Sequence, residues 1–321
     1  MLIALGGLVL GLVLLTWSAD KFIDGAAAVA QLLGMSPLLV GILIVGFGTS
    51  APEMLVSAIA AWQGEPDLAL GNAIGSNIAN VGLILGLTAL MAPIAIHSTV
   101  VKQEIPLLLL ATGIGVVVLL NGFLGRGDAV LLLGALATYI AFGIWQSVQS
   151  PGDALAADSD AAISHEQSPA KAGVALGFGL LVLLASSRLL VWSATEIATG
   201  LGVSELIIGL TIVALGTSLP ELAASIASVR KNQHDLAVGN VIGSNVFNIL
   251  GVVGIAGLIH PDLVSAIVVQ RDSVVMVLLT IALAVLCWRG ARRGGINRWQ
   301  GALLVGAYVA YNATLAWSVV A

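Results

Sequence analysis

Ten apolar runs, most of them about 20 residues or longer, follow one another along the chain with only short breaks of Gly, Pro and charge between them. A helix of that length can cross a hydrocarbon layer with every backbone group bonded internally. The runs are continuous and do not alternate with polar residues, which excludes barrel strands. They fall near 2–32, 36–62, 68–91, 103–121, 127–148, 172–200, 204–229, 236–259, 271–288 and 299–319. The expected fold is an all-α integral membrane protein of about ten transmembrane helices. A charged fraction of 9% and a mean hydropathy of +1.06 exclude a water-soluble enzyme core. The net charge of -5, with no extended basic run, leaves nothing to hold a nucleic-acid backbone. Cys287 stands alone, without a second cysteine to oxidise or to complete a metal site.

The chain begins Met-Leu-Ile-Ala-Leu, which predicts a retained first span. With ten spans both termini share one face. Lys102, Lys171, Arg230, Lys231, Arg289, Arg292, Arg293 and Arg298 fall on the connections after spans 3, 5, 7 and 9, against Arg126 and Arg271 on the others. The positive-inside rule then places both termini outside and the 149–171 connection in the cytoplasm. That connection is polar, acidic and poor in core-forming residues, as in a flexible linker. Trp62, Trp145, Trp288, Trp299 and Trp317 lie near span ends, where interfacial anchors belong.

The chain is duplicated. GFGTSAPEMLVS at 46–57 recurs as ALGTSLPELAAS at 214–225, and DLALGNAIGSNIAN at 67–80 recurs as DLAVGNVIGSNVFN at 235–248. At this offset of 168, 16 of the 35 residues from 46 to 80 match. Each copy holds five spans, an odd number, so the second must enter the membrane from the opposite side. The expected organisation is a first five-helix repeat over 1–148, the linker over 149–171, and an inverted second repeat over 172–321.

Thr49, Glu53 and Ser57 share a helix face, as do Thr217, Glu221 and Ser225; Asn72, Ser76 and Asn80 form a second stripe, echoed by Asn240, Ser244 and Asn248. Pro52 and Pro220 each remove an N–H, so carbonyls near Gly48 and Gly216 lose their usual partner. Hydroxyls, amides, free carbonyls and one carboxylate per copy are hard oxygen ligands, suited to Na⁺ or Ca²⁺. A carboxylate at mid-bilayer costs at least about 2.5–3.5 kcal/mol, and the pseudo-two-fold brings Glu53 and Glu221 together. Two like charges in that setting need protons or a bridging cation. Ser57 and Ser225 also fit helix packing, Asn72 and Asn240 also fit backbone bracing, and Asp67 and Asp235 read as N-terminal helix caps. The two longest spans carry Asp20, Lys21 and Asp24 in the first and Arg188 and Glu196 in the sixth; Asp20, Arg188 and Glu196 read as interface-facing or paired and are kept outside the site.

The paired motifs GTSAPE with GNAIGSNIAN and GTSLPE with GNVIGSNVFN resemble the α-repeats of the calcium/cation antiporter superfamily, closest to prokaryotic sodium/calcium exchangers. The resemblance implies a diamond of four cation positions at mid-membrane, exchange of three Na⁺ for one Ca²⁺, and a prokaryotic inner (plasma) membrane. Carried onto this chain by motif position, it makes Glu53 and Glu221 the carboxylates shared among ions. It gives Thr49, Ser50, Thr217 and Ser218 hydroxyl and carbonyl roles, Ser76 and Ser244 hydroxyl roles, and Gly46 and Ala214 backbone carbonyls at the outer positions. Asn80 and Asn248 fall at the middle position. Some relatives, the potassium-dependent exchangers among them, carry Asp where this chain has Asn248, which argues against K⁺ co-transport here. The first and sixth spans are expected to slide together past the other eight. The transported ions are substrates, no cofactor is implied, lipid is the surrounding partner, and oligomeric state is left open, a monomer included.

A Ca²⁺/H⁺ antiporter using the same carboxylate pair is the nearest alternative. An intramembrane hydrolase built on Ser50 or Ser218 lacks a buried base, because His97, His165, His234 and His260 map to connections or span ends, so no enzyme is expected. A channel would use the same ligands, but inverted repeats with mid-membrane carboxylates favour alternating access.

Overall fold

A computed structural model of the chain describes residues 2–97, 100–149, 168–201 and 214–320. It contains α1 (Leu2–Leu33), α2 (Pro37–Trp62), α3 (Pro66–Met91), α4 (Val100–Leu119), α5 (Arg126–Gln149) and α6 (Pro169–Gly200). The second half continues with α7 (Ala214–Thr217), α8 (Leu219–Arg230), α9 (His234–Ile259), α10 (Val268–Arg292) and α11 (Arg298–Val320). Eight of these, α1 to α6, α9 and α10, are long and apolar enough to cross a membrane. Described helices begin and end within a few residues of the expected spans. The 204–213 part of the seventh expected span and most of the 149–171 linker lie outside the described residues.

Local chemistry sets the helix ends. Ser36 and Ser168 each cap a following helix, accepting from the amides of Leu39 and Lys171, with Pro37 and Pro169 in the first turn where no N–H is needed. Gly34 (φ 63°) and Gly294 (φ 94°) supply the left-handed residue that stops α1 and α10. Trp62, Trp145, Trp288 and Trp299 stand exposed at or near helix ends, as interfacial anchors would.

The order of elements repeats at the sequence offset. π-helical turns interrupt α3 at Asn80–Leu85 and α9 at Phe247–Val252, and open α4 at Val100–Glu104 and α10 at Val268–Asp272. The connections at the two ends also correspond. At one end the Ser265 amide donates to Asp67 at 3.4 Å, and β1 (Phe123–Leu124) pairs antiparallel with β2 (Asp262–Leu263), Phe123 opposite Leu263. At the other, His97 pairs with Asp235 at 2.8 Å, Ile94 pairs with Ile296, and Arg298 donates to the Met91 carbonyl. Adding 168 to positions 67 and 97 gives 235 and 265, so one contact is made twice, at opposite ends of α3. Asp67 and Asp235 therefore do not cap. They sit in the first turns of α3 and α9, and their carboxylates tie one half of the chain to the other, while Glu65 and Gln233 occupy the cap positions.

The main apolar core joins α2, α3, α4, α9 and α10. A separate cluster unites α1 and α6 with the faces of α2, α8 and α9. α2 and α9 approach so closely that a Cβ on Gly243 would run into the Ile42 backbone, a crossing that only small residues allow.

Candidate cation site

The α2–α9 crossing brings the two motif copies together at the middle of the bundle. Glu53 is fully buried on α2, and Glu221, 2% exposed, lies in the first turn of α8. Among the described residues, neither oxygen of Glu53 has a hydrogen-bond partner, nor does Oε2 of Glu221. Among the described residues, no Lys, Arg or His lies within 4.0 Å of either carboxylate. Paired buried charges without a counter-ion are costly, and the neighbouring groups are oxygens.

Ser50 Oγ donates to Glu221 Oε1 at 3.4 Å, and Ser244 Oγ donates to the Gly46 carbonyl at 3.4 Å, so each repeat reaches into the other. Thr49 Oγ1 lies 3.0 Å from the Val45 carbonyl and 3.1 Å from Asn240 Oδ1. A hydroxyl gives its single proton to one acceptor and keeps lone pairs for an ion. Thr49, Ser50, Ser218 and Ser244 are buried; Ser76 is 6% exposed and Thr217 half-buried. Ala214 opens α7, four residues before Ser218.

The two prolines behave differently. α2 runs on through Pro52, whereas the second copy breaks between Thr217 and Leu219 and makes two helices. The Gly216 carbonyl, one turn before Pro220, was expected to lack a partner. Ser187 of α6 donates to it at 2.8 Å, so a neighbouring helix takes up the acceptor that proline frees.

Asn72 and Asn240 brace the carboxylate helices. Asn72 Nδ2 donates to the Glu53 carbonyl at 3.1 Å and to Ser57 Oγ at 2.9 Å; Asn240 Nδ2 makes the same pair to Glu221 and Ser225 at the same distances. Ser57 and Ser225 thus serve as acceptors that lock neighbouring helices.

Asn80 and Asn248 are buried but not equivalent. Asn80 Nδ2 donates to Asn245 Oδ1 at 3.1 Å, while both side-chain polar atoms of Asn248 are without a partner among the described residues. The sequence reading passed over Asn77 and Asn245, which are equivalent at offset 168 and meet where the Asn77 amide donates to the Asn245 carbonyl at 3.1 Å. They lie off the i, i+4 stripe that selected Ser76 and Asn80. Their duplication inside the GSN motif was the available signal.

Arg188, kept out of the site from sequence, lines a cavity of about 270 Å³ together with Pro52, Thr217 and Pro220. Asp24 of the first span pairs with Lys231 at 2.6 Å.

Comparison with known proteins gives the family and the fold. The sequence profile of the sodium/calcium exchanger protein family matches residues 3–145 and 171–317. The chain is 40% identical to the inner membrane protein YrbG of Escherichia coli K12 over 99% of its own length and 98% of that protein. It is 30% identical to the sodium/calcium exchanger MaX1 of Methanosarcina acetivorans, over 95% of this chain and 96% of that one. A solved structure of the sodium-calcium exchanger NCX_Mj, soaked with zero Na⁺ and Ca²⁺, superposes with a TM-score of 0.84 at 32% identity, covering 98% of this chain and 99% of that chain. Fold, helix complement and these matches define a membrane antiporter of cations. The chain belongs to the sodium/calcium exchanger protein family.

Proposed function

We propose that this protein exchanges Ca²⁺ for Na⁺ across the membrane by alternating access, with both ions bound between two inverted five-helix repeats. The observation that carries this reading is the pair Glu53 and Glu221, buried, with no cationic side chain within 4.0 Å among the described residues, and near oxygen ligands contributed by both halves. One Ca²⁺ neutralises both carboxylates. Na⁺ ions competing for the same oxygens provide the exchange.

In this reading Glu53 and Glu221 share ions, Thr49, Ser50, Thr217, Ser218, Ser76 and Ser244 offer hydroxyl or carbonyl oxygens, and Gly46 and Ala214 offer outer carbonyls. Asn248, with its partnerless amide, takes the middle position opposite Asn80. The Asp67–Ser265 and His97–Asp235 contacts, equivalent yet at opposite ends, support the inversion. With α7 and α8 counted as one interrupted span and α11 as another, the total is ten. The basic connections gather at the His97–Asp235 end, which supports a cytoplasmic location for that end, termini outside, in a prokaryotic inner membrane. The largely separate apolar cluster of α1 and α6 suits a pair that slides as a unit.

Three Na⁺ for one Ca²⁺ moves one net charge per cycle, worth about 2.3 kcal/mol per 100 mV. Ca²⁺ flux into Na⁺-loaded proteoliposomes under clamped potential tests the proposal. Uptake driven by the Na⁺ gradient and enhanced by inside-positive potential is the expected result. Uptake driven only by a proton gradient would transfer the same site to Ca²⁺/H⁺ antiport.

A further inference from the structure

The two longest helices carry a charge difference at equivalent positions. α1 and α6 cross antiparallel, with Gly11 against Leu190 and Gly179 against Phe22. Adding 168 to Gly11 and Phe22 gives Gly179 and Leu190, so each contact is the image of the other and the crossing obeys the pseudo-two-fold. The same correspondence pairs Asp20 with Arg188. Each lies roughly 5 Å along its helix from the crossing, toward opposite ends of the bundle.

Arg188 is exposed to the cavity beside Pro52, Thr217 and Pro220, and among the described residues it makes no salt bridge. A cation at this depth is tolerated where it faces a hydrated space. That cavity extends to Leu55 and Val191, away from the basic connections. Asp20 is half-buried, also without a salt bridge among the described residues, and lies one turn before Asp24. Because Asp24 bonds Lys231, Asp20 belongs to the half of α1 that runs toward the basic end.

We propose that Arg188 and Asp20 make the two access routes to the cation site electrostatically unequal. Arg188 repels cations entering by the route away from the basic connections; Asp20 attracts those entering from the basic end. The inference rests on the exchange reading above, and neither residue acts as an ion ligand in it. A fixed charge changes local ion concentration by a factor that depends exponentially on valence, so the factor for Ca²⁺ is the square of that for Na⁺. Across a hydrated gap on the order of 10 Å the Ca²⁺ factor is about three- to tenfold.

The test is the Ca²⁺ dependence of exchange, read from each face of proteoliposomes of determined orientation containing the full chain. Arg188→Gln should lower KM for Ca²⁺ about three- to tenfold at the face away from the basic connections and leave the other face unchanged. Arg188→Lys should restore the wild-type value. Asp20→Asn, an independent arm, should raise KM by a similar factor at the basic face, and half-saturation for Na⁺ should shift by the square root of each Ca²⁺ factor. Equal shifts at both faces, an Arg188→Lys value matching Arg188→Gln, or unchanged KM in Arg188→Gln and Asp20→Asn would overturn the proposal. Wild-type protein that does not exchange Ca²⁺ for Na⁺ overturns the underlying exchange reading instead, which separates the two failures.

Discussion

The Ser50 hydroxyl of the first repeat donates to the Glu221 carboxylate of the second, Oγ to Oε1 at 3.4 Å. A residue 171 positions away in sequence thus bonds the buried carboxyl group, and Ser244 bonds the Gly46 carbonyl in return, so each repeat reaches into the other. Ser50→Ala removes that bond and one hydroxyl. The expected outcome is about a fivefold rise in the Ca²⁺ concentration for half-maximal exchange, with little loss of folded protein.

Asn72, half-buried, and Asn240, fully buried, each satisfy a backbone carbonyl and a buried serine. Asn72→Ala and Asn240→Ala are each expected to cost about 1–3 kcal/mol, because buried acceptors lose their donor. Thermal unfolding in detergent measures this. Asn240→Ala should also weaken Ca²⁺-driven exchange, since Asn240 Oδ1 lies 3.1 Å from the Thr49 hydroxyl.

Asn248 is fully buried, and its side-chain amide has no partner among the described residues. Asn248→Asp would add a third carboxylate in place of a neutral group. The expected result is K⁺-sensitive exchange in the variant, measured as Ca²⁺ flux with and without K⁺, against K⁺-independent exchange in the wild type.

At the α2–α9 crossing a Cβ on Gly243 would meet the Ile42 carbonyl, and backbone cannot swing aside as a side chain can. Gly243→Ala should therefore lower the unfolding temperature by an amount corresponding to about 1–3 kcal/mol. It should also weaken Ca²⁺ binding, because this crossing sets Ser244 beside the Gly46 carbonyl.

Helix positions were legible in the sequence because about 20 apolar residues is a length the bilayer dictates, and Gly34, Pro37 and Pro169 punctuate the ends locally. The Ser50–Glu221 contact joins the two motif copies, and the duplication pointed to such a meeting because it carries spatial information that one copy lacks. What escaped depended on the partner helix. Asp67 and Asp235 looked like caps because the segments they bond, around Ser265 and His97, are distant in sequence. The Gly216 carbonyl looked free because Ser187 belongs to another helix. Asn77 and Asn245 were missed because an i, i+4 stripe describes one helix face, whereas these two meet at the contact between helices.

Calcium binding to purified protein in Na⁺-free solution, followed by isothermal titration, tests most directly whether Glu53 and Glu221 form one divalent-cation site. Wild-type protein should bind Ca²⁺ in competition with added Na⁺, and Glu53→Gln and Glu221→Gln, each still folded, should each weaken binding by more than about 100-fold, since one remaining carboxylate leaves the ion under-neutralised. Wild-type Ca²⁺ affinity in either single variant would contradict a shared site.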